Sequence, residues 1–241
     1  MSILHLSVLT QADLDDALSG SFAPFSGRLR RDPDPAAPAL SALARSGGLA
    51  DALALFAKAH PGAERPATAS LWSAYLFAGL VSPALAAGAR LGLALSPEGI
   101  RFAPETGLPE TVHLTQDLAL PASLPAQVDR LLADCIAPAI HILRAETGLS
   151  LRLLWENAGG HLFWTLDEIA RDNPDRAEDI AEALEALRWP REACASLTLM
   201  RADAIAGAPL RRRVCCLRHT LPGFSECAGI CPLPRCREKS G

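Results

Sequence analysis

Leu71–Ala89 reads LWSAYLFAGLVSPALAAGA, 19 residues without a charged side chain. That is close to the length needed to cross the hydrocarbon core of a bilayer. Its composition points elsewhere. Ala, Gly and Ser fill much of the stretch, and Ala favours membrane insertion far less than Leu or Ile does. Ser82-Pro83 interrupts it, and an interior proline removes a helix hydrogen bond. The stretch therefore predicts two buried helices meeting near Pro83 at the centre of a globular chain, with a membrane span as the alternative.

Composition bounds the rest. The chain has 241 residues, of which 49% are apolar, 21% charged and only 5% aromatic. Ala and Leu carry the apolar share. This length supports one or two domains and a core that needs no disulfide staples. Whole-chain disorder and collagen-like structure are excluded. The net charge of −4 argues against a general nucleic-acid binder. The first residues, MSILHLSVLTQADLDD, lack a basic n-region and an uninterrupted apolar run, so no signal peptide is expected. A cytoplasmic location follows as the expectation, and with it reduced thiols.

Working outward from the apolar stretch, residues 1–35 read as a weakly ordered lead-in, with loop chemistry at Arg31-Asp32-Pro33-Asp34-Pro35. Residues 38–59 carry helical spacing broken at Gly47-Gly48 and stopped by His60-Pro61-Gly62. Downstream, Leu91–Leu95 and Ile100–Phe102 read as a β-hairpin around Ser96–Gly99, with Thr111–Leu114 as a further strand. Residues 124–147 give the strongest helix, with Pro125 near its start, Gly148 past its end and a kink expected at Pro138. Leu149–Leu154 alternates into Trp155-Glu156, and His161–Leu166 returns after Ala158-Gly159-Gly160, which predicts a second hairpin. Asn173-Pro174 opens another helix, ended by Trp189-Pro190 after Arg188. Ser196–Met200 reads as a weak strand. The class is α+β: a mainly helical body with β-hairpins, spanning residues 1–207, and a cysteine-rich segment at 208–241.

Cysteine usage is skewed: five of seven cysteines lie in the last 27 residues. Cys215, Cys216, Cys227 and Cys231 are spaced C-C-x10-C-x3-C, with Cys236 beyond them. Ala208–Gly241 also carries a net charge of +5 on a body of −9. Four thiolates can close on a metal centre if Leu221-Pro222-Gly223 turns the intervening loop back. Zinc prefers knuckles with two to four residues between ligands, and adjacent cysteines suit it poorly. An iron–sulfur cluster offers a wider target, each iron taking two thiolates. Zinc and unligated thiols remain the alternatives.

This tail resembles that of the FhuF-like ferric-siderophore reductases, whose C-terminal signature is C-C-x10-C-x2-C. The matching residues are Cys215-Cys216, the ten that follow, and Cys227. Supporting details are the basic residues before the pair, Leu221-Pro222 in mid-loop, and Cys231-Pro232-Leu233 at the close. Three residues rather than two precede Cys231, with Cys236 as the other candidate for fourth ligand. Upstream, Ala69–Tyr75 and Leu154-Trp155-Glu156-Asn157 are similar to the family's mid-region and central strand, so the likeness covers roughly residues 40 to 236. It implies a [2Fe-2S] cluster on Cys215, Cys216, Cys227 and Cys231, and one-electron reduction of a ferric siderophore, hydroxamate type favoured. It also implies an external electron donor such as a ferredoxin and a weak association with the inner membrane. No nicotinamide fingerprint is present. A siderophore- or iron-binding protein with a zinc tail, or an electron carrier, are the competing readings.

Other singled-out residues have bland readings. Cys135 and Cys194 read as passive thiols, and His219 as a solvated loop residue. Arg211–Arg213 read as a solvated face, with donor docking as the alternative and Arg218 beside it. Trp72, Tyr75, Trp155 and Trp164 read as packing residues, or as the lining of a pocket for an apolar siderophore backbone. His141 and His161 receive no role.

Overall fold

The fold is taken from a computed structural model, which describes residues 9–32, 34–114, 120–187, 194–208, 210–225 and 230–233. The apolar stretch forms one helix, not two: α4 runs Arg65–Leu91 straight through Pro83. Proline at that position costs about 3 kcal/mol locally. Burial offsets it, since Val81, Ser82, Ala84, Leu85, Ala86 and Ala87 are all buried. Among the described residues, α4 is the one single helix long and apolar enough to cross a membrane, and 83% of its most apolar window is buried inside the fold. Its lipid-like composition is therefore spent on protein contacts.

Its main partner corrects a second expectation. Residues 149–166 do not form a hairpin; α7 is a continuous helix, Leu151–Asp172. Leu154, Ala158, Leu162, Leu166 and Ile169 recur at helical spacing and are all buried. The alternation in Leu149–Leu154 was too short to outweigh that period. Gly159, read as a turn residue, marks a close approach instead: a Cβ there would stand 2.5 Å from Leu197 Cδ2. Leu197 belongs to α9, Cys194–Ile205. So Ser196–Met200 is helical rather than a strand; it is covered by α7 instead of pairing with a neighbour.

Around this pair sit α2 (Leu40–Ser46) and α3 (Gly48–Lys58), bent by 83° where Gly47 takes φ +82°. Also packed there are α5 (Leu124–Leu131), α6 (Ala137–Thr147) and α8 (Ala177–Ala186). The kink expected at Pro138 takes the form of a π-turn, Leu132–Ile136, in which Ala137 N–H reaches Leu132 O. Widening the turn by one residue accommodates a proline ring that would clash with the carbonyl four residues back. Asn173 caps the approach to α8 by accepting from Asp175 N–H. Arg188 and Trp189-Pro190 lie outside the described residues.

Residues 9–32 of the lead-in are ordered, contrary to expectation. Thr10 and Asp13 form a capping box for α1, Gln11–Ala17. A 3-10 turn at Gly20–Phe25 and strand β1 (Leu29–Arg30) follow, and Leu14, Leu18, Phe22 and Leu29 are fully buried. β1 is parallel to β4 (Pro109–Leu114), which is antiparallel to β3 (Pro97–Phe102). β2 (Leu93–Ala94) pairs instead with β5 (Leu120–Pro121), so the predicted pairing of 91–95 with 100–102 does not form. Pro97–Gly99, read as its turn, belong to β3. The strand expected at 111–114 lies within β4. Trp72 Nε1–H donates to Gly107 O at 2.7 Å and ties the β3–β4 connection to α4.

The close approach of α7 and α9 gives a direct test. Gly159→Val should overpack the contact with Leu197 and lower unfolding stability by about 1–3 kcal/mol. An unchanged urea midpoint would mean that α9 stands off from α7.

Candidate functional site

Glu156 and Asn157 are consecutive residues of α7, 0% and 1% exposed. A carboxylate at that depth needs partners, because its desolvation costs several kcal/mol. Glu156 Oε2 accepts the backbone N–H groups of Arg213 and Val214, each at 2.9 Å. Arg212 Nε lies 4.0 Å from the same oxygen. Asn157 Oδ1 accepts from Arg212 Nη2 at 2.6 Å, while its Nδ2 donates to Ser70 O at 3.0 Å and Ser73 Oγ at 2.8 Å on α4. Ser70 Oγ in turn donates to Cys216 O at 2.7 Å. The two core helices thus grip the chain from Arg212 to Cys216, the approach to the paired cysteines.

The next turn is strained. Leu217 has φ +62°, the one non-glycine residue with positive φ among those described, and such a conformation costs about 1–3 kcal/mol. It directs Leu217 N–H onto Cys215 Sγ at 3.3 Å and starts the 3-10 turn Arg218–Thr220. His219 Nδ1 lies 3.5 Å from the same sulfur. Leu221, 3% exposed, pins the loop into the core. Phe224 then lies against His60, ring centroids 5.3 Å apart, under the Arg218 guanidinium. Arg212 N–H donates to Ile230 O at 3.0 Å, which seats the chain at Ile230-Cys231 beside Arg212. Cys231 is 5% exposed.

Cys231 is thereby brought to the loop of Cys215 and Cys216, within electrostatic reach of the Cys215 thiol. Burial is the main cause that raises the Cys215 thiol pKa, and the neighbouring Cys216 and Cys231 raise it further. Leu217 N–H and Arg212 act the other way. None of the three forms a disulfide. Among the described residues, no group of three or more His, Cys, Asp or Glu has the arrangement to hold a metal ion. Cys227 and Cys236 lie outside them. The donor chemistry nonetheless fits a thiolate-bound centre: soft sulfur ligands, a backbone N–H aimed at one sulfur, and a buried guanidinium nearby.

Cys135 is elsewhere, in the π-turn, with its pKa pushed up to about 12 by burial, and is a core thiol. Trp72 and Trp155 are fully buried packing residues, whereas Tyr75 and Trp164 are 41% and 36% exposed. The solvated-face reading fails for Arg212, 8% exposed, because Asn157 and Glu156 replace its water. Arg213 is paired to Asp203 at 2.8 Å. His219 faces Cys215 rather than solvent alone. The reasoning from sequence missed Glu156, Asn157, Ser70 and Ser73 as holders of the loop. Their signal was a Glu-Asn pair on an otherwise apolar segment, concealed by reading that segment as a strand.

Beside this loop lies a cavity of about 900 Å³ between α7, α8, α9 and the tail. Asn157, His161, Arg212 and Ile230 line it on the side of the loop, and Trp164 and Met200 also line it. Burial, with a smaller contribution from Arg212, lowers the His161 pKa to about 4.

Three outcomes follow. Glu156→Gln keeps an oxygen for the two N–H groups but removes the charge facing Arg212, and should cost about 1–3 kcal/mol in urea unfolding. Leu217→Val places a β-branched side chain at positive φ and should cost about 1–3 kcal/mol in urea unfolding, whereas an unchanged midpoint would refute the strain. His161 stays neutral in the folded state but takes up a proton in the unfolded state below about pH 6.5. Stability should thus fall as pH drops from about 6.5 towards 4, and His161→Gln should flatten that part of the stability–pH curve.

Comparison with known proteins bears on the helical body. No curated protein matches the chain. The family model described as ferric iron reductase FhuF-like transporter matches residues 70–206, more than half of the chain. That span contains α7 and all but the first five residues of α4, the two helices that grip the cysteine loop. The chain belongs to the FhuF-like ferric iron reductase family.

Proposed function

We propose that the chain is a cytoplasmic ferric-siderophore reductase that works through a [2Fe-2S] cluster held by Cys215, Cys216, Cys227 and Cys231 in the segment 208–241. The observation that supports this reading is the return of the chain at Ile230-Cys231 to Arg212, beside the Cys215-Cys216 loop that Glu156, Asn157 and Ser70 grip. A bound [2Fe-2S] cluster supplies single electrons at a potential set by its charge, its hydrogen bonds and its exposure. The chelated Fe3+ accepts one electron and becomes Fe2+. Oxygen donors hold Fe2+ far more weakly than Fe3+, so release follows without breaking a bond of the ligand. The electron comes from an external donor protein of the ferredoxin class.

The chain's own residues have defined tasks in this scheme. Leu217 N–H donates to one ligand sulfur and stabilises its thiolate form. Arg212 sets positive charge beside the same sulfur, which favours the more negative, reduced state. Arg211 and Arg218 leave the tail basic towards an acidic donor. Hydroxamate chelates are the favoured substrates, from the family likeness.

Titration of the dithionite-reduced protein with a ferric trihydroxamate should restore the oxidised absorbance spectrum, one equivalent of iron per chain. Reduced protein that persists in excess chelate would identify an electron carrier instead. Cys231→Ala should abolish the visible spectrum and Cys236→Ala should retain it; the reverse pattern would move the fourth ligand to Cys236.

A further inference from the structure

We infer that the cavity between α7, α8 and α9 is the seat of the ferric chelate, with Arg212 and Ile230 on its side towards the cysteine loop and Trp164 setting which chelates fit. This rests on the proposed reductase reading and adds a binding site to it. The volume, about 900 Å³, falls within the roughly 300–1,000 Å³ of small-molecule sites. Its position is what ties it to the reaction. Asn157 and Arg212, 1% and 8% exposed, belong at once to the cavity lining and to the network that grips the cysteine loop. Ile230 lines the cavity and is bonded in sequence to Cys231, so the two Cα atoms are about 3.8 Å apart. A ligand against Ile230 therefore sits one residue from a proposed electron-delivering thiolate.

The charge balance of the cavity selects the ligand class. Arg171 at the mouth is paired to Asp167 and Glu168, each at 2.6 Å. Arg212 is committed to Asn157 and Glu156. His161 is neutral near pH 7. No unpaired cation among these groups awaits a multiply charged anion. Three singly negative hydroxamates cancel the charge of Fe3+, so a ferric trihydroxamate is neutral overall. A tricatecholate remains strongly anionic and would have to shed its hydration against an apolar wall. Met200 and the half-exposed ring of Trp164 offer that wall to the chelate's carbon chains, while Asn157 and His161 offer polar groups to its amides. A thiolate-bound centre held by the cysteine loop would supply the electron to the chelated Fe3+, with an external one-electron donor to restore it.

The test is calorimetric binding of a gallium(III) trihydroxamate, a redox-inert copy of the ferric chelate, to the anaerobically purified full chain with its metal centre loaded. The wild type should bind it, and a gallium tricatecholate should bind at least about tenfold more weakly. Ala204→Trp, which fills the cavity from α9, and Trp164→Ala, which removes its wall, should each raise Kd by about tenfold or more with unchanged iron content. Unaltered Kd in both variants, or no binding by the wild type, would overturn the assignment. Reoxidation of the reduced wild type by ferric trihydroxamate separates the two claims. If it proceeds equally in Ala204→Trp, the chelate sits elsewhere and the reductase reading stands. If it fails in the wild type as well, the reductase reading falls too.

Discussion

The arrangement depends on one buried carboxylate. Glu156 sits inside the α4–α7 seam without any exposure and accepts two consecutive backbone N–H groups from the start of the tail. A charge there is tolerable only while those donors and Arg212 remain in place. The requirement also runs in the other direction: the tail segment has its backbone donors satisfied only while it lies on α7. Folding of the helical body and placement of Cys215-Cys216 are thereby coupled. The same seam holds Asn157, which joins Ser70 and Ser73 on one helix to Arg212 on the tail. Three pieces of chain far apart in sequence meet at one polar cluster inside an apolar core.

That cluster accounts for the composition of α4. Its run of Ala, Gly and Ser has the hydropathy of a weak membrane span, yet small side chains also let α7 approach closely. Hydroxyls at Ser70, Ser73 and Ser82 then serve as hydrogen-bonding groups within the fold; Thr165 of α7 donates to Ser82 at 3.0 Å, one residue before Pro83. Proline survives in the middle of the helix because every side of it is packed. The strain at Leu217 follows the same logic at the far end of the network. An unfavourable backbone is held by Leu221 in the core and turns an N–H towards sulfur, where an ordinary helical turn would not aim it.

Much of this was legible from sequence, and the misses have physical causes. The helical class, the Gly47 break, the Asn173 cap and the buried nature of the apolar stretch followed from periodicity and capping chemistry. The cysteine spacing singled out the loop that the two core helices grip. The second hairpin failed because a six-residue alternation was weighed above a longer helical period, and Gly159-Gly160 was taken as a turn when Gly159 makes room for Leu197. The pairing of β2 failed because sheet partners 26 and 28 residues apart leave no local signal. The Glu156–Asn157 grip was hidden for the same reason: it exists only once α7 is a helix and the tail has returned to it. Arg212 looked like a surface charge because its compensating partners are 55 residues upstream.

The central claim is that this grip assembles a thiolate-bound iron–sulfur centre. Iron and acid-labile sulfide, measured in the anaerobically purified full chain, test it most directly. The account predicts coloured protein with about two irons and two sulfides per chain. Colourless protein that carries zinc and no acid-labile sulfide would contradict it.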